Sequence, residues 1–367
     1  MMNAVLQTLT KAGVSIWLDD LTRTRITSGN LKELVDAYSV RGVTTNPSIF
    51  EGAIAGSADA YASQITALAQ GGSDAEHAVR LMTSDDVRSA CDIFADVFAQ
   101  SGGTDGRVSI EVDPRLARNT EATIAEAQEL WNLVDRNNVL IKIPATREGL
   151  PAITEVIGRG ISVNVTLIFS VDRYVEVMDA YLTGLELADT RGHDISNIES
   201  VASFFISRVD SAVDSLLATQ DNAAAMALMG QAAITNARLA WGAYVNVLAS
   251  ERWKALPNAR PQRPLWASTG VKDPTYSDTR YVIDLVAPGC VNTMPEKTLF
   301  AVADHGVFLG DTVSGTISAS ASIWSQLAEL GIDATSVCNT LEAEGVAKFE
   351  QAWISLLDTV AKALARA

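Results

Sequence analysis

Lys142 lies in the run "NNVLIKIPAT" (137–146), between Ile141 and Ile143. A charged amine in so aliphatic a strand is costly unless it is paired, exposed at the strand end, or used. Burial disfavours the ammonium form of a lysine, and a neutral amine condenses with a carbonyl to give a Schiff base. The iminium then draws electrons from its neighbours, so that an adjacent C–C bond can break. Such chemistry needs proton carriers, and two carboxylates, Asp19 and Glu111, end other apolar runs of the chain. Carboxyls in different surroundings can divide acid and base work between them. Asn46, Asn164, Thr166, Ser203 and Ser268 add neutral donors and acceptors of the kind a polyhydroxylated ligand requires. Each residue also has a plainer explanation. A strand-end acid often caps or pairs, Asn46 before Pro47 is a turn signal, and Ser or Thr often bonds nearby backbone. Lys142 could form a structural bridge with Glu111 or Asp19, although buried pairs are costly to desolvate.

The positioning elements come from the alternation along the chain. Candidate strands are "VSIWLD" (14–19), "RGVTTN" (41–46), "RVSIEV" (107–112), "VLIKI" (139–143), "ISVNVTL" (161–167), "VASFF" (201–205), "PLWAST" (264–269) and "YVIDLVA" (281–287). Helical stretches separate them, for example 115–136, 171–190 and 222–253, with 316–330 and 334–365 after the last. Eight strands alternating with helices predict an α/β fold, a single (β/α)8 TIM barrel with additional helices, over a doubly wound open sheet. Residues 1–367 read as one domain, with a helical extension from about 333 whose apolar stripe suits the barrel mouth or a subunit interface. Strand side chains alternate between faces. With Ile16 and Leu18, Ile110 and Val112, and Ile141 and Ile143 turned to the helices, Asp19, Glu111 and Lys142 turn inward. Asp20 has the opposite parity. The polar residues then converge at the C-terminal ends of the strands, where barrels of this kind build their sites.

Composition narrows the classes. The net charge of −16 disfavours nucleic acid and anionic membrane as partners, because both are bound through Lys and Arg. A small anion remains compatible, since it needs only local cations. No apolar run reaches the roughly 18–20 residues of a membrane span, and Met1–Leu9 has no charged secretory start. Cys91, Cys290 and Cys338 are dispersed and odd in number, and the three histidines show no ligand spacing. No nucleotide phosphate loop is spelled out. The chain reads as a soluble, cytoplasmic protein without metal or cofactor, either monomeric or homodimeric.

Four segments, "GVTTNPSIF" (42–50), "IEVDPRLA" (110–117), "VLIKIPAT" (139–146) and "SVNVTLIFS" (162–170), resemble transaldolase motifs in the expected order. The resemblance spans about residues 14–330, and its spelling is similar to a longer branch found in actinobacteria. It implies a (β/α)8 relative of the class I aldolases. The implied reaction transfers a dihydroxyacetone unit from a ketose phosphate (sedoheptulose 7-phosphate or fructose 6-phosphate) to an aldose phosphate (glyceraldehyde 3-phosphate or erythrose 4-phosphate). That is a step of the non-oxidative pentose phosphate pathway. By this resemblance Lys142 is the Schiff-base lysine, Asp19 the acid/base at the cleaved hydroxyl, and Glu111 with Thr166 the pair that orients a catalytic water. Asn46 and Asn164 bind the dihydroxyacetone hydroxyls, Ser203 lines the substrate site, and Arg208 takes phosphate; Ser268, placed at the same mouth by strand parity, is expected to bind substrate with them. After the seventh strand many members read A-S-F-R-N, whereas here the text is "ASTGVKDP" (267–274), so Lys272 stands as the replacement cation. A fructose 6-phosphate aldolase-like lyase and a non-catalytic sugar-phosphate-binding barrel are the competing expectations.

Overall fold

Short β-branched and aliphatic runs form eight strands: β1 (Ser15–Leu18), β2 (Gly42–Val43), β3 (Arg107–Glu111), β4 (Val139–Pro144), β5 (Val163–Ile168), β6 (Ser200–Phe205), β7 (Arg263–Ala267) and β8 (Val291–Met294). In the computed structural model, which describes residues 2–220 and 222–367, they pair in parallel and in chain order, and β8 closes on β1. This is the (β/α)8 barrel expected from the alternation, and helices enclose its outer face. The connection after β2 carries four of these helices, Pro47–Gly56, Ala58–Gln70, Ala75–Ile93 and Ala95–Gln100. No helix among the described residues is long and apolar enough to cross a membrane.

One strand is displaced from its expected position. The run at 281–287 is not β8; Arg280–Ile283 is a short helix, and the strand follows at Val291–Met294. A short apolar run fits a buried strand and a buried helical turn equally well by periodicity. Here Asp284 interrupts the run and Pro288-Gly289 ends it, with Gly289 in the left-handed region at φ 84°. The Tyr281 hydroxyl donates to Asp210 Oδ2 at 2.6 Å, which holds the run against the helix Ser207–Leu217. The less apolar "VNTM" pairs with both β7 and β1.

The two ends of the barrel are built differently. At the N-terminal end, Arg263 bonds Ser15 Oγ at 2.9 Å and lies 3.3 Å from Asp105 and 3.4 Å from Glu199. This buried ionic cluster closes the bottom. Above it Trp17 lies against Gly42, where a Cβ would come within 2.6 Å of the indole ring. At the C-terminal end, the last helix (Ala334–Leu364) packs against the helices Pro47–Gly56 and Ala75–Ile93 and reaches across the mouth. Gly345 permits the approach, since a Cβ there would be 3.0 Å from Leu167 Cδ2. Its apolar stripe packs over the barrel mouth, one of the two places it suits.

Candidate active site

Strand register sets the central row. Glu111 of β3 lies opposite Lys142 of β4, and Lys142 lies opposite Asn164 of β5. All three point inward while Ile110, Ile141, Val163 and Val165 are buried toward the helices. Lys142 Nζ donates to the Thr45 carbonyl at 2.9 Å and lies 3.3 Å from Glu111 Oε2. The carboxylate contact is charge against charge without hydrogen-bond alignment, and neither Glu111 oxygen has a hydrogen-bond partner. Burial accordingly pushes the Glu111 carboxyl up to about 7 from an ordinary 4.5, against the opposing pull of Lys142.

Asp19 follows directly on β1. Its Oδ1 accepts from the Thr44 hydroxyl at 2.6 Å, and Thr44 in turn contacts Thr293 of β8 at 2.7 Å. Burial raises its pKa, while Lys142 and the Thr44 hydrogen bond act against the rise. Asp20 is engaged elsewhere, 2.7 Å from Arg25. Asn46 caps the helix Pro47–Gly56, its side chain accepting from Ile49 N–H at 3.1 Å, and Pro47 fills the first turn. The sequence Asn-Pro thus starts a helix and fixes a polar side chain at the mouth in one step.

On the opposite side, Asn164 donates to Ser109 Oγ at 2.9 Å and accepts from Ser203 Oγ at 2.7 Å. Thr166 is buried and its hydroxyl has no partner. The register of β5 on β6 shifts across it, between Val165 and Ile168, and Leu167 has φ 61°. A bulge of this kind re-aims neighbouring side chains and is held only where packing over-determines it. Ser268 is likewise left-handed, at φ 56°, and its hydroxyl meets Ser207 Oγ at 2.9 Å. Arg208 lies over the Phe205 ring at 5.3 Å, with Nη1 buried and without a partner. Burial lowers its pKa, opposed by the charges of Glu344 and Asp19.

These side chains enclose a cavity of about 190 Å³ over Lys142. Asp19, Asn46, Lys142, Thr166, Ser203, Arg208, Ser268 and Lys272 all line it. Glu111 and Asn164 do not; they reach it through Lys142 and Ser203. Thr44, Phe205, Thr293, Pro295 and Phe349 also line it, and no role for them is read from the sequence. Thr44 lies in the run "GVTTNPSIF" beside Asp19, at the end of the neighbouring strand, although the two are 25 residues apart in the chain. Thr293 was hidden by the misplaced last strand. Phe349, whose ring lies 5.6 Å from Lys142 Nζ, gave no local signal because it comes from the C-terminal helix. The arrangement can hold a carbonyl beside a buried amine, exchange protons through two carboxyls of raised pKa, and set an anion on Arg208.

The family model described as Transaldolase/Fructose-6-phosphate aldolase matches residues 16–360. A protein of Mycobacterium bovis (strain BCG / Pasteur 1173P2) named Transaldolase is 59% identical over 358 residues, which is 97% of this chain and 96% of the relative. Transaldolase 1 of Streptomyces avermitilis is 61% identical over 361 residues, 98% of this chain and 95% of its own length. The Transaldolase of Mycobacterium marinum is 58% identical over 359 residues, covering 97% and 96%. The length and the motifs of the barrel strands therefore have one explanation: the chain belongs to the transaldolase family.

Proposed function

We propose that this chain is a transaldolase, moving a dihydroxyacetone unit between sugar phosphates through a Schiff base on Lys142. The observation that carries the reading is the buried Lys142 amine in a cavity wall beside Asp19, with Glu111 at 3.3 Å. The Lys142 nitrogen attacks the C2 carbonyl of the ketose phosphate, and the resulting carbinolamine loses water as the iminium forms. Glu111 and the unpartnered Thr166 hydroxyl hold that water and its proton. The Asp19 carboxylate takes the C4 hydroxyl proton. The C3–C4 bond then breaks, and its electron pair neutralises the iminium to an enamine. The aldose phosphate leaves. The enamine carbon next attacks the acceptor aldehyde, whose oxygen takes the proton back from Asp19. Water then releases the new ketose from Lys142. Asn46 and the Asn164–Ser203 pair meet the dihydroxyacetone hydroxyls, and Arg208 and Lys272 hold phosphate.

Borohydride reduction with fructose 6-phosphate, followed by peptide mass mapping, tests the reading. A dihydroxyacetone-sized adduct on Lys142 is the expected result. An unmodified Lys142, in folded protein that binds the sugar, overturns it in favour of a non-catalytic barrel. Adding erythrose 4-phosphate to the trapped-competent enzyme separates transfer from simple cleavage, and the full-length relatives named Transaldolase support transfer.

A further inference from the structure

A second cavity, of about 740 Å³, adjoins the first and shares Arg208, Ser268 and Lys272 with it. Its far wall is the C-terminal helix, which contributes Glu344 and Lys348 to the lining. The same helix turns Phe349 into the inner cavity, so the position of Lys348 relative to the site is fixed by that packing. Arg208 faces this junction with Nη1 buried and unpartnered, and Glu344 is the first of the two acids whose charge acts on it. Lys348 Nζ lies 3.2 Å from Glu344 Oε2, and both side chains are more than half exposed.

Lys348 adds a third cation to the lining of the outer cavity, beside Arg208 and Lys272. The loop after β7 supplies Lys272, a point charge, and no forked guanidinium. A phosphate on Arg208 would meet the like charge of Glu344 across the cavity. A lysine one turn along the helix cancels that repulsion and has a long flexible stem with three rotatable donors. We propose that Lys348 is a phosphate-binding residue of this site, with Glu344 as the counter-charge that holds it back until a phosphate competes. The C-terminal helix then reads the phosphate of the sugar while its Phe349 walls the reacting end. The inference rests on the transaldolase reading for its substrate class, sugar phosphates.

The test compares Lys348→Ala, Lys348→Arg and Glu344→Gln in the full chain. Donors are fructose 6-phosphate and unphosphorylated dihydroxyacetone, each with D-glyceraldehyde as acceptor. Calorimetric titration with inorganic phosphate is run alongside. For a half-exposed charge contact, Lys348→Ala is expected to raise KM for fructose 6-phosphate about fivefold and to weaken inorganic phosphate similarly. Its kcat/KM for dihydroxyacetone changes by less than about twofold on the same scale. Lys348→Arg restores the phosphorylated donor, and Glu344→Gln lowers its KM, an opposite sign that helix damage does not produce. Equal loss for both donors, unchanged phosphate binding in Lys348→Ala, or a raised KM in Glu344→Gln overturns the assignment. Phosphate binding needs no turnover, and the borohydride adduct needs no Lys348. An adduct on Lys142 with unchanged phosphate binding sinks only the role of Lys348; weakened phosphate binding without an adduct sinks only the Schiff-base reading.

Discussion

Glu111→Gln separates a catalytic carboxyl from a structural ion pair, because the two predict different dependence of stability on pH. Glu111 is buried, has no hydrogen-bond partner, and is pushed up to about 7 in the folded chain from 4.5. A group whose folded pKa lies above its unfolded value binds more protons when folded. Its contribution is therefore complete below pH 4.5, falls through the window from 4.5 to about 7, and is gone above it. At about 1.4 kcal/mol for each pH unit, the rise amounts to about 3 kcal/mol. Glutamine keeps the shape and does not titrate. Subtracting the variant cancels the titrating groups that do not interact with Glu111, and leaves the carboxyl together with its coupling to Lys142 and Asp19. Urea unfolding followed by circular dichroism at pH 4.5 and pH 8 measures the difference. The stability of the native chain relative to Glu111→Gln should fall by about 3 kcal/mol between those values. A difference that stays constant, or that grows with pH, would refute the reasoning and make Glu111 an ordinary ionised partner of Lys142. The same carboxyl predicts a limb near pH 7 in the kcat/KM profile, absent from the residual activity of the variant.

Other substitutions probe the remaining parts. Lys142→Ala should abolish turnover while far-UV circular dichroism stays native, and activity near that of the unsubstituted chain would remove the Schiff base from the account. Arg208→Ala should raise KM for phosphorylated donors far more than for dihydroxyacetone; equal effects on both would remove its role at phosphate. Gly42→Ala, on β2 two residues before Thr44, should cost about 1–3 kcal/mol in urea unfolding. Its new methyl group would lie 2.6 Å from the Trp17 ring and 2.8 Å from the Arg107 carbonyl, and the backbone oxygen cannot turn aside.

What the sequence discloses about this site depends on how far each residue's position is set by its own neighbours. Lys142, Glu111 and Asn164 were legible because a strand with isoleucine or valine on one parity must present the other parity to the barrel interior. Register then sets them side by side. Asn46 was legible for a similar local reason, since Asn-Pro before an apolar run begins a helix. Thr293 was not. Its strand is four residues long with two adjacent polar residues, Asn292 and Thr293, at its centre, and it competed with the more apolar 281–287 for the eighth place. The barrel chose by closure, because β8 has to pair with both β7 and β1 and the Pro288-Gly289 turn delivers "VNTM" to that gap. Phe349 was out of reach for a different reason. A buried aromatic on an amphipathic helix looks the same in sequence whether it faces a helix or a substrate cavity. Only the docking of residues 334–364 across the mouth, allowed by Gly345 against Leu167, turns that ring toward Lys142. The polar row of the site is thus placed locally by the strands, whereas its enclosure is set by the contacts Gly345–Leu167 and Phe349–Lys142, 178 and 207 residues apart in the chain.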